Sequence, residues 1–248
     1  MLLEHKVGIV TGSSKGIGRC IAEELARQGA DLIINGNNEA LLEDVRQTIV
    51  DIGRKCQIVR GDISDYETSL ALRHCAEEEF GRVDILVNNA GINDRTSTME
   101  LTNEAWQKVL DVNLNGVFYT CKALVPLMIK RNSGNIINIT SANGVTPHPN
   151  ASPAYGASKA AVTYLTRHFA NEFAKNNIRV NAVQCGPIES DMTGQWTPEY
   201  REISLKKIPL HRIGKAQDVA NAVVFLASEK SDFVTGTSLN LSGGKLMY

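Results

Sequence analysis

The sequence has no excess of either charge. Its 26 Lys and Arg stand against 27 Asp and Glu, a formal net charge of -1, so the broad field that would draw in nucleic acid or an anionic membrane is missing. Polyanion and membrane binding are therefore not expected. No apolar run approaches the ~18 residues of a membrane span, and the opening Met1-Leu2-Leu3-Glu4-His5-Lys6 puts an acid where a secretory signal needs apolar residues. The cysteines, Cys20, Cys56, Cys75, Cys121 and Cys185, are odd in number, widely spread and without a Cys-x-x-Cys pair. That pattern suggests neither a disulfide framework nor a zinc site, and the expectation is a reduced, cytoplasmic chain without a metal. Internal repeats and linkers are also absent. With 43% hydrophobic and 21% charged residues, the 248 residues hold enough apolar material for one sizeable core. A single domain, residues 1–248, is expected.

What is present is an alternation of short β-branched runs with longer segments of helical period, the pattern of βαβ units on a parallel sheet. Seven strands are proposed: Val7–Val10, Leu32–Ile34, Gln57–Val59, Ile85–Val87, Ile136–Ile139, Arg179–Val183 and Ser238–Leu241. Their near-continuous apolar character suits strands buried on both faces. Helices are expected after each early strand and near 104–130, 155–176 and 216–227; in the first, Ile17, Ile21, Leu25 and Ala26 share one face. The fold class is α/β, a doubly wound parallel sheet with helices on both faces, its cofactor half near 1–135 and its catalytic and lid half near 136–248. The stretch Pro187–Arg212, with Met192, Trp196, Tyr200 and Leu205, fits no clean element. Its apolar content favours a lid; the alternative is a surface helix pair with no role in binding.

Between the first strand and its helix lies Thr11-Gly12-Ser13-Ser14-Lys15-Gly16-Ile17-Gly18. Glycines there let the backbone turn tightly and approach a ligand, and the helix N-terminus offers free N–H groups to an anion such as a dinucleotide pyrophosphate. The spacing is G-x-x-x-G-x-G rather than G-x-G-x-x-G, and a turn that merely joins strand to helix is the other reading. The second strand ends Asn35-Gly36-Asn37-Asn38, with no carboxylate to bond the adenosine ribose hydroxyls or repel a 2'-phosphate. With Lys15 at the mouth of the turn, NADP(H) is preferred over NAD(H), unless Lys15 is simply a solvated loop charge.

Tyr155-Gly156-Ala157-Ser158-Lys159 opens a predicted helix, placing Tyr155 and Lys159 at i and i+4 on one face. An ammonium near a phenol favours the phenolate, so the Tyr155 pKa is expected to fall from about 10. Such a tyrosine can pass a proton to a carbonyl oxygen as hydride reaches the carbon. On its own such a pair is more often a surface i,i+4 contact than an active site. Ser141 ends the fifth strand, at the sheet edge where α/β folds place ligands, and Asn88-Asn89-Ala90-Gly91 ends the fourth at the same edge. Asn113 sits among apolar neighbours and requires partners, either for packing or for catalysis.

Taken together, the Thr11–Gly18 turn, Asp62, the Asn88–Gly91 segment, Asn113, Ser141 and the Tyr155/Lys159 pair resemble, in order and spacing, the short-chain dehydrogenase/reductases. The resemblance continues through Gly214–Ala227 and the closing Asn240-Leu241-Ser242-Gly243-Gly244. It is closest to the 3-oxoacyl-[acyl-carrier-protein] reductase-like branch. The resemblance implies Tyr155 as general acid in reduction and base in oxidation, Ser141 orienting the carbonyl, Lys159 binding the nicotinamide ribose and lowering the Tyr155 pKa, and Asn113 holding a water in a proton relay. It further implies that Gly12, Ser14, Lys15, Gly16, Ile17 and Gly18 line the cofactor phosphates and Asn37 the 2'-phosphate region. Asp62 and Ile63 would meet the adenine, Asn89, Ala90 and Gly91 the adenosine ribose side, and Ile188 the carboxamide. A homotetramer on the 104–130 and 155–176 helices is also implied.

Two departures bear on the substrate. Cys185-Gly186 stands where the family has Pro-Gly, with Pro187 one place later, and Cys185 is either a reactive thiol or a buried inert one. The loop between Ser141 and Tyr155 is one residue longer than in the acyl-carrier reductases and carries Pro147, His148, Pro149 and Pro153; His148 is either a substrate contact or a solvated loop residue. The expected function is an NADPH-dependent carbonyl reductase, or the reverse alcohol dehydrogenase. Its substrate is a small ketone or alcohol, or an acyl thioester, with Lys130, Arg131 and Lys175 as the available cations for a carrier. A sterol, sugar or other secondary alcohol is the alternative substrate, and a non-catalytic cofactor-binding sensor is the alternative class.

Overall fold

The computed structural model describes residues 1–149, 151–189, 191–194 and 196–247. Among these, seven strands form one parallel sheet in the order β3-β2-β1-β4-β5-β6-β7. They are β1 (Val7–Val10), β2 (Asp31–Gly36), β3 (Cys56–Arg60), β4 (Ile85–Asn88), β5 (Gly134–Ser141), β6 (Ile178–Cys185) and β7 (Ser238–Leu241). The chain winds outward from β1 to β3, then crosses back to lay β4 on the other side of β1, with Val10 flanked by Ile34 and Val87. That reversal opens a crevice at the carboxyl ends of β1 and β4, where doubly wound sheets bind ligands.

Alternate residues of each strand feed opposite cores, because successive Cβ atoms point to opposite faces. Val10, Ile34, Val87, Ile137 and Val183 pack against α1 (Gly16–Arg27), α2 (Glu39–Asp51) and α9 (Ala216–Ala227). Ile9, Ile33, Leu86, Ile136 and Val180 pack on the other face, against α3 (Tyr66–Cys75), α5 (Gly116–Arg131) and α6 (Pro153–Phe173). Buried polar residues beside these apolar runs bond to one another. Asn88 Nδ2 donates to Asn138 Oδ1 at 2.9 Å, Thr120 donates to Asn88 Oδ1 at 2.7 Å, and Asn138 donates to Thr166 at 2.9 Å.

The helix expected over 104–130 is two helices, α4 (Asn103–Leu110) and α5, joined by a π turn at Asp111–Asn115. The stretch Asn103–Arg131 is long and apolar enough to cross a bilayer by length and composition, and 56% of its most apolar window is buried inside the fold. The segment 187–212 is also more ordered than expected: it contains α7 (Asp191–Gly194) and α8 (Pro198–Lys206), the latter capped by Thr197 accepting from Tyr200 N at 3.2 Å. A Pro at N1 behind a Thr cap starts such a helix without any apolar period to announce it. The side chain of Met192 lies outside the described residues.

Candidate active site

The turn after β1 is held by its neighbours rather than by its own contacts. Thr11 Oγ1 accepts from the backbone N–H groups of Asn89 and Ala90, both at 3.1 Å, and Asn89 Nδ2 donates to the carbonyls of Thr11 and Gly12 at 2.9 and 3.0 Å. Ser13 and Asn35 exchange bonds in the same way on the β2 side. Gly12 has φ +62°, and a Cβ there would lie 2.7 Å from Ala90 Cα; a Cβ on Gly18 would collide with the Gly12 carbonyl oxygen. The turn can close on the N-terminus of α1 only because both positions lack a side chain. The amide nitrogen of Asn89, expected at the adenosine ribose, is thus spent on fixing the turn.

From this turn a cavity of about 880 Å³ runs along the carboxyl ends of the strands. Gly12, Ser14, Lys15, Gly16, Ile17 and Gly18 line it first, followed by Asn37 beyond β2, Asp62 and Ile63 beyond β3, and Asn89, Ala90 and Gly91 beyond β4. Ser141, Tyr155, Lys159 and Ile188 line the same cavity further on. Every expected site residue except Asn113 borders it. Gly36, Asn37 and Asn38 at the end of β2 bring no carboxylate to the cavity: Asn38 caps α2 by accepting from Leu41 N at 3.0 Å, and the next residue, Glu39, pairs with Arg60 at 3.2 Å. Asp62 Oδ1 accepts from the Ser64 N–H and hydroxyl at 2.9 and 2.8 Å, which fixes the corner after β3.

Tyr155 enters the cavity from the first turn of α6. Ser152 caps that helix, accepting from Tyr155 N at 3.3 Å, with Pro153 in the first helical turn. The Tyr155 hydroxyl faces Ser141 at the end of β5, near enough for the serine to favour the phenolate. One turn along, Lys159 is 6% exposed, donates from Nζ to the Ile139 carbonyl at 2.9 Å and lies 5.8 Å from the Tyr155 ring centre. The expected fall in the Tyr155 pKa is not what this geometry gives. Burial pushes the phenol up to about 12, opposed by the Ser141 hydroxyl, and burial pulls the Lys159 ammonium down to about 8. Desolvation outweighs the i,i+4 attraction because both groups sit inside the cavity and the ammonium is engaged by a backbone carbonyl rather than the phenol oxygen.

Asn113 is 0% exposed within the π turn. Its Oδ1 accepts from Ile92 N at 2.8 Å, and its Nδ2 donates to the Ile92 carbonyl at 2.9 Å and to Ser158 Oγ at 3.1 Å. The side chain therefore ties the loop after β4 to α6, and a Cβ on Gly91 would stand 3.3 Å from Asn113 Oδ1 and 3.4 Å from Lys159 Nζ. Cys185 is 7% exposed, and burial pushes its thiol up to about 12, consistent with the inert reading.

A glycine turn, a buried acid–base pair and one connecting cavity are the parts of a nicotinamide-dependent oxidoreductase. Known proteins bear this out. A family model described as "Enoyl-(Acyl carrier protein) reductase" matches residues 12–245. The chain is 37% identical over 244 residues to the 3-oxoacyl-[acyl-carrier-protein] reductase of Thermotoga maritima, covering 98% of this chain and 99% of that protein. The chain belongs to the short-chain dehydrogenase/reductase family. The 3-oxoacyl-[acyl-carrier protein] reductase of Brucella melitensis has a similar structure, with a TM-score of 0.94, 32% identity and coverage of 100% and 93% of the two chains. So does a gluconate 5-dehydrogenase from Burkholderia cenocepacia in complex with NADP and tartrate, with a TM-score of 0.93, 32% identity and coverage of 98% and 96%.

Within this short-chain oxidoreductase the substrate end was the part least visible in sequence. Trp196 borders the cavity and packs edge-on against Tyr200, ring centres 5.1 Å apart, and the Tyr200 hydroxyl meets His148 Nε2 at 3.1 Å. The expected lid and the proline-rich loop are thereby joined beside the cavity, which both His148 and Lys245 line. Lys245 and Leu246 carry no motif; only their nearness in sequence to β7 hinted that the tail returns to the sheet edge.

Proposed function

We propose that the protein is an NADP(H)-dependent carbonyl reductase that interconverts a ketone and a secondary alcohol in the cavity shared by the glycine turn and Tyr155. The juxtaposition of Ser141, Tyr155 and Lys159 on that cavity carries the reading. Residues fit the nucleotide: the glycine turn leaves backbone room before the N-terminus of α1, and at the end of β2 the cavity is bordered by Gly36, Asn37 and Asn38 with Lys15 and by no acid. Gly12, Ser14, Lys15, Gly16, Ile17 and Gly18 would hold its phosphates, Asn37 the 2'-phosphate region, Asp62 and Ile63 the adenine, and Ile188 the carboxamide. When bound it supplies the hydride. The chain supplies the rest: Ser141 orients the substrate oxygen, Tyr155, kept protonated by burial, donates its proton to that oxygen, and Lys159 returns a proton to Tyr155. Asn113 is a positioning residue that fixes α6 against the loop after β4.

The relatives named as 3-oxoacyl-[acyl-carrier-protein] reductases make a 3-oxoacyl thioester the first substrate to test. The dehydrogenase neighbour makes a polyhydroxy substrate the second, favoured by the polar Tyr200–His148 bridge beside the cavity. The reading includes one domain with its cofactor half before residue 135, and a homotetramer on α5 and α6, whose exposed Phe118, Ile129 and Tyr164 support an interface. A cytoplasmic location is supported by five free thiols. The test is NADPH and NADH oxidation over acetoacetyl thioesters, neutral ketoses and cyclic ketones. NADPH-driven reduction of at least one is expected; a clear NADH preference overturns the cofactor reading, and no reduction with either nucleotide overturns the activity.

A further inference from the structure

The cavity is cationic although the chain is not. Among the described residues, Lys15, Arg95, Lys108, Lys159 and Lys245 line it against one carboxylate, Asp62. Three of these have work at the nucleotide and catalytic positions. Lys15 stands at the glycine turn, Lys108 shares the Asp62 groove, and Lys159 belongs to the catalytic pair. Arg95 and Lys245 are the other two, and Lys245 is the one whose charge reaches His148.

Lys245 is held in place by the tail that carries it. Lys245 N donates to the Ser242 carbonyl at 3.2 Å, Leu246 N to Ser242 Oγ at 3.2 Å, and Asn240 Nδ2 to the Leu246 carbonyl at 2.6 Å. The Gly243 carbonyl in turn accepts from Leu210 N at 3.1 Å, linking the tail to the segment after α8. The ammonium is half-buried, and no carboxylate among the described residues pairs with it. His148, bonded to Tyr200, lines the same cavity. Lys207, exposed at the end of α8, adds its positive charge to the field at both His148 and Lys245, and Lys245 adds its own at His148. Glu189, in the loop after β6, is paired with Arg201 at 3.0 Å. A half-buried ammonium on a cavity wall, with a second cation near it and no carboxylate partner among the described residues, is stabilised when an anion joins it.

We propose that Lys245, with His148 beside it on the cavity lining and Lys207 adding positive charge from outside it, forms an anion subsite of the cavity, so that the preferred substrate carries an anionic oxygen group, a carboxylate or a phosphate, beside its reacting carbonyl or alcohol. This rests on the carbonyl-reductase reading and names its substrate class. The subsite holds the anion through the Lys245 ammonium and the polar tip of His148. A neutral ketone of the same shape reaches Ser141 and Tyr155 but leaves that ammonium uncompensated.

Two measurements test it. Thermal unfolding is followed with gluconate, with neutral glucitol and with glucitol 6-phosphate at equal ionic strength, with and without NADPH. A raised midpoint for gluconate or the phosphate over glucitol, lost in Lys245→Gln, is expected; whichever anion shifts it further identifies the group. Reduction of a keto-aldonate, a ketose phosphate and the matching neutral ketose gives the second readout. An anionic substrate is expected to exceed the neutral one in kcat/KM by about tenfold or more, the scale of one charge-assisted hydrogen bond, with the ratio reduced in Lys245→Gln and in Lys207→Gln. Equal midpoints for gluconate, phosphate and glucitol, or a ratio that Lys245→Gln does not move, overturns the subsite. Neutral ketones reduced without anion preference would leave the reductase reading standing. If no carbonyl compound is reduced, that reading falls and the unfolding midpoints alone decide the subsite.

Discussion

Replacing Asn113 by Ala separates a positioning residue from a water-holding one. Its side chain makes three hydrogen bonds, two to the Ile92 backbone and one to Ser158 Oγ, and is wholly buried. At a net worth near 1 kcal/mol for each bond, and with Ile92 only partly buried so that water can recover some of the loss, the variant should lose about 3 kcal/mol of stability. For a chain of this size that lowers the unfolding midpoint by roughly 6–12 °C. Because the same bonds hold the loop after β4 against α6, nucleotide affinity should weaken along with turnover. Differential scanning calorimetry, an NADPH fluorescence titration and steady-state kinetics on one preparation give all three numbers. A variant with the parent midpoint and nucleotide affinity, but with kcat reduced a hundredfold, would refute the positioning account and restore the proton-relay role.

Three shorter predictions follow from the same geometry. Gly18→Ala places a methyl against the Gly12 carbonyl and beside Asn89, so nucleotide affinity should fall at least about tenfold, measured by fluorescence titration; an unchanged Kd would show that the turn can open. Lys159, drawn down to about 8 by burial, is protonated below that pH and neutral above it. Reductive kcat/KM should therefore be flat at lower pH and decline as pH rises through about 8, and a pH profile of kcat/KM with no inflection between pH 7 and 9 would remove Lys159 from the proton path. With its thiol pushed up to about 12, Cys185 is roughly one part in ten thousand thiolate at pH 8. Mass spectrometry after iodoacetamide should find it unlabelled in the native protein, and labelling as fast as in denaturant would contradict its burial.

The strands were legible because their apolar runs are bounded by turn residues: β1, β7 and α9 begin and end where the pattern places them. The other strands are longer by their polar ends. Gly36, Asn88 and Ser141 continue the ladder because tertiary partners satisfy them, and a local pattern does not contain those partners. The π turn at Asp111–Asn115 was invisible for a different reason, since one extra residue per turn hardly disturbs an apolar period. At the site, spacing placed Tyr155, Lys159 and Ser141 together but gave the wrong direction for the Tyr155 pKa. Sequence shows the ammonium four residues on; it does not show the desolvation, which is larger. Lys245 lies some ninety residues from Tyr155 and reaches the same cavity only because β7 closes the sheet beside β6.

The most direct test of the shared cavity is Tyr155→Phe, which removes one oxygen and leaves the ring packing against Lys159. NADPH binding measured by fluorescence should remain within a few-fold of the parent, while NADPH-driven ketone reduction should fall by a factor of about 10² to 10⁴, the usual contribution of a positioned general acid. Turnover retained near the parent rate would contradict the account, because the proton would then come from elsewhere in the cavity.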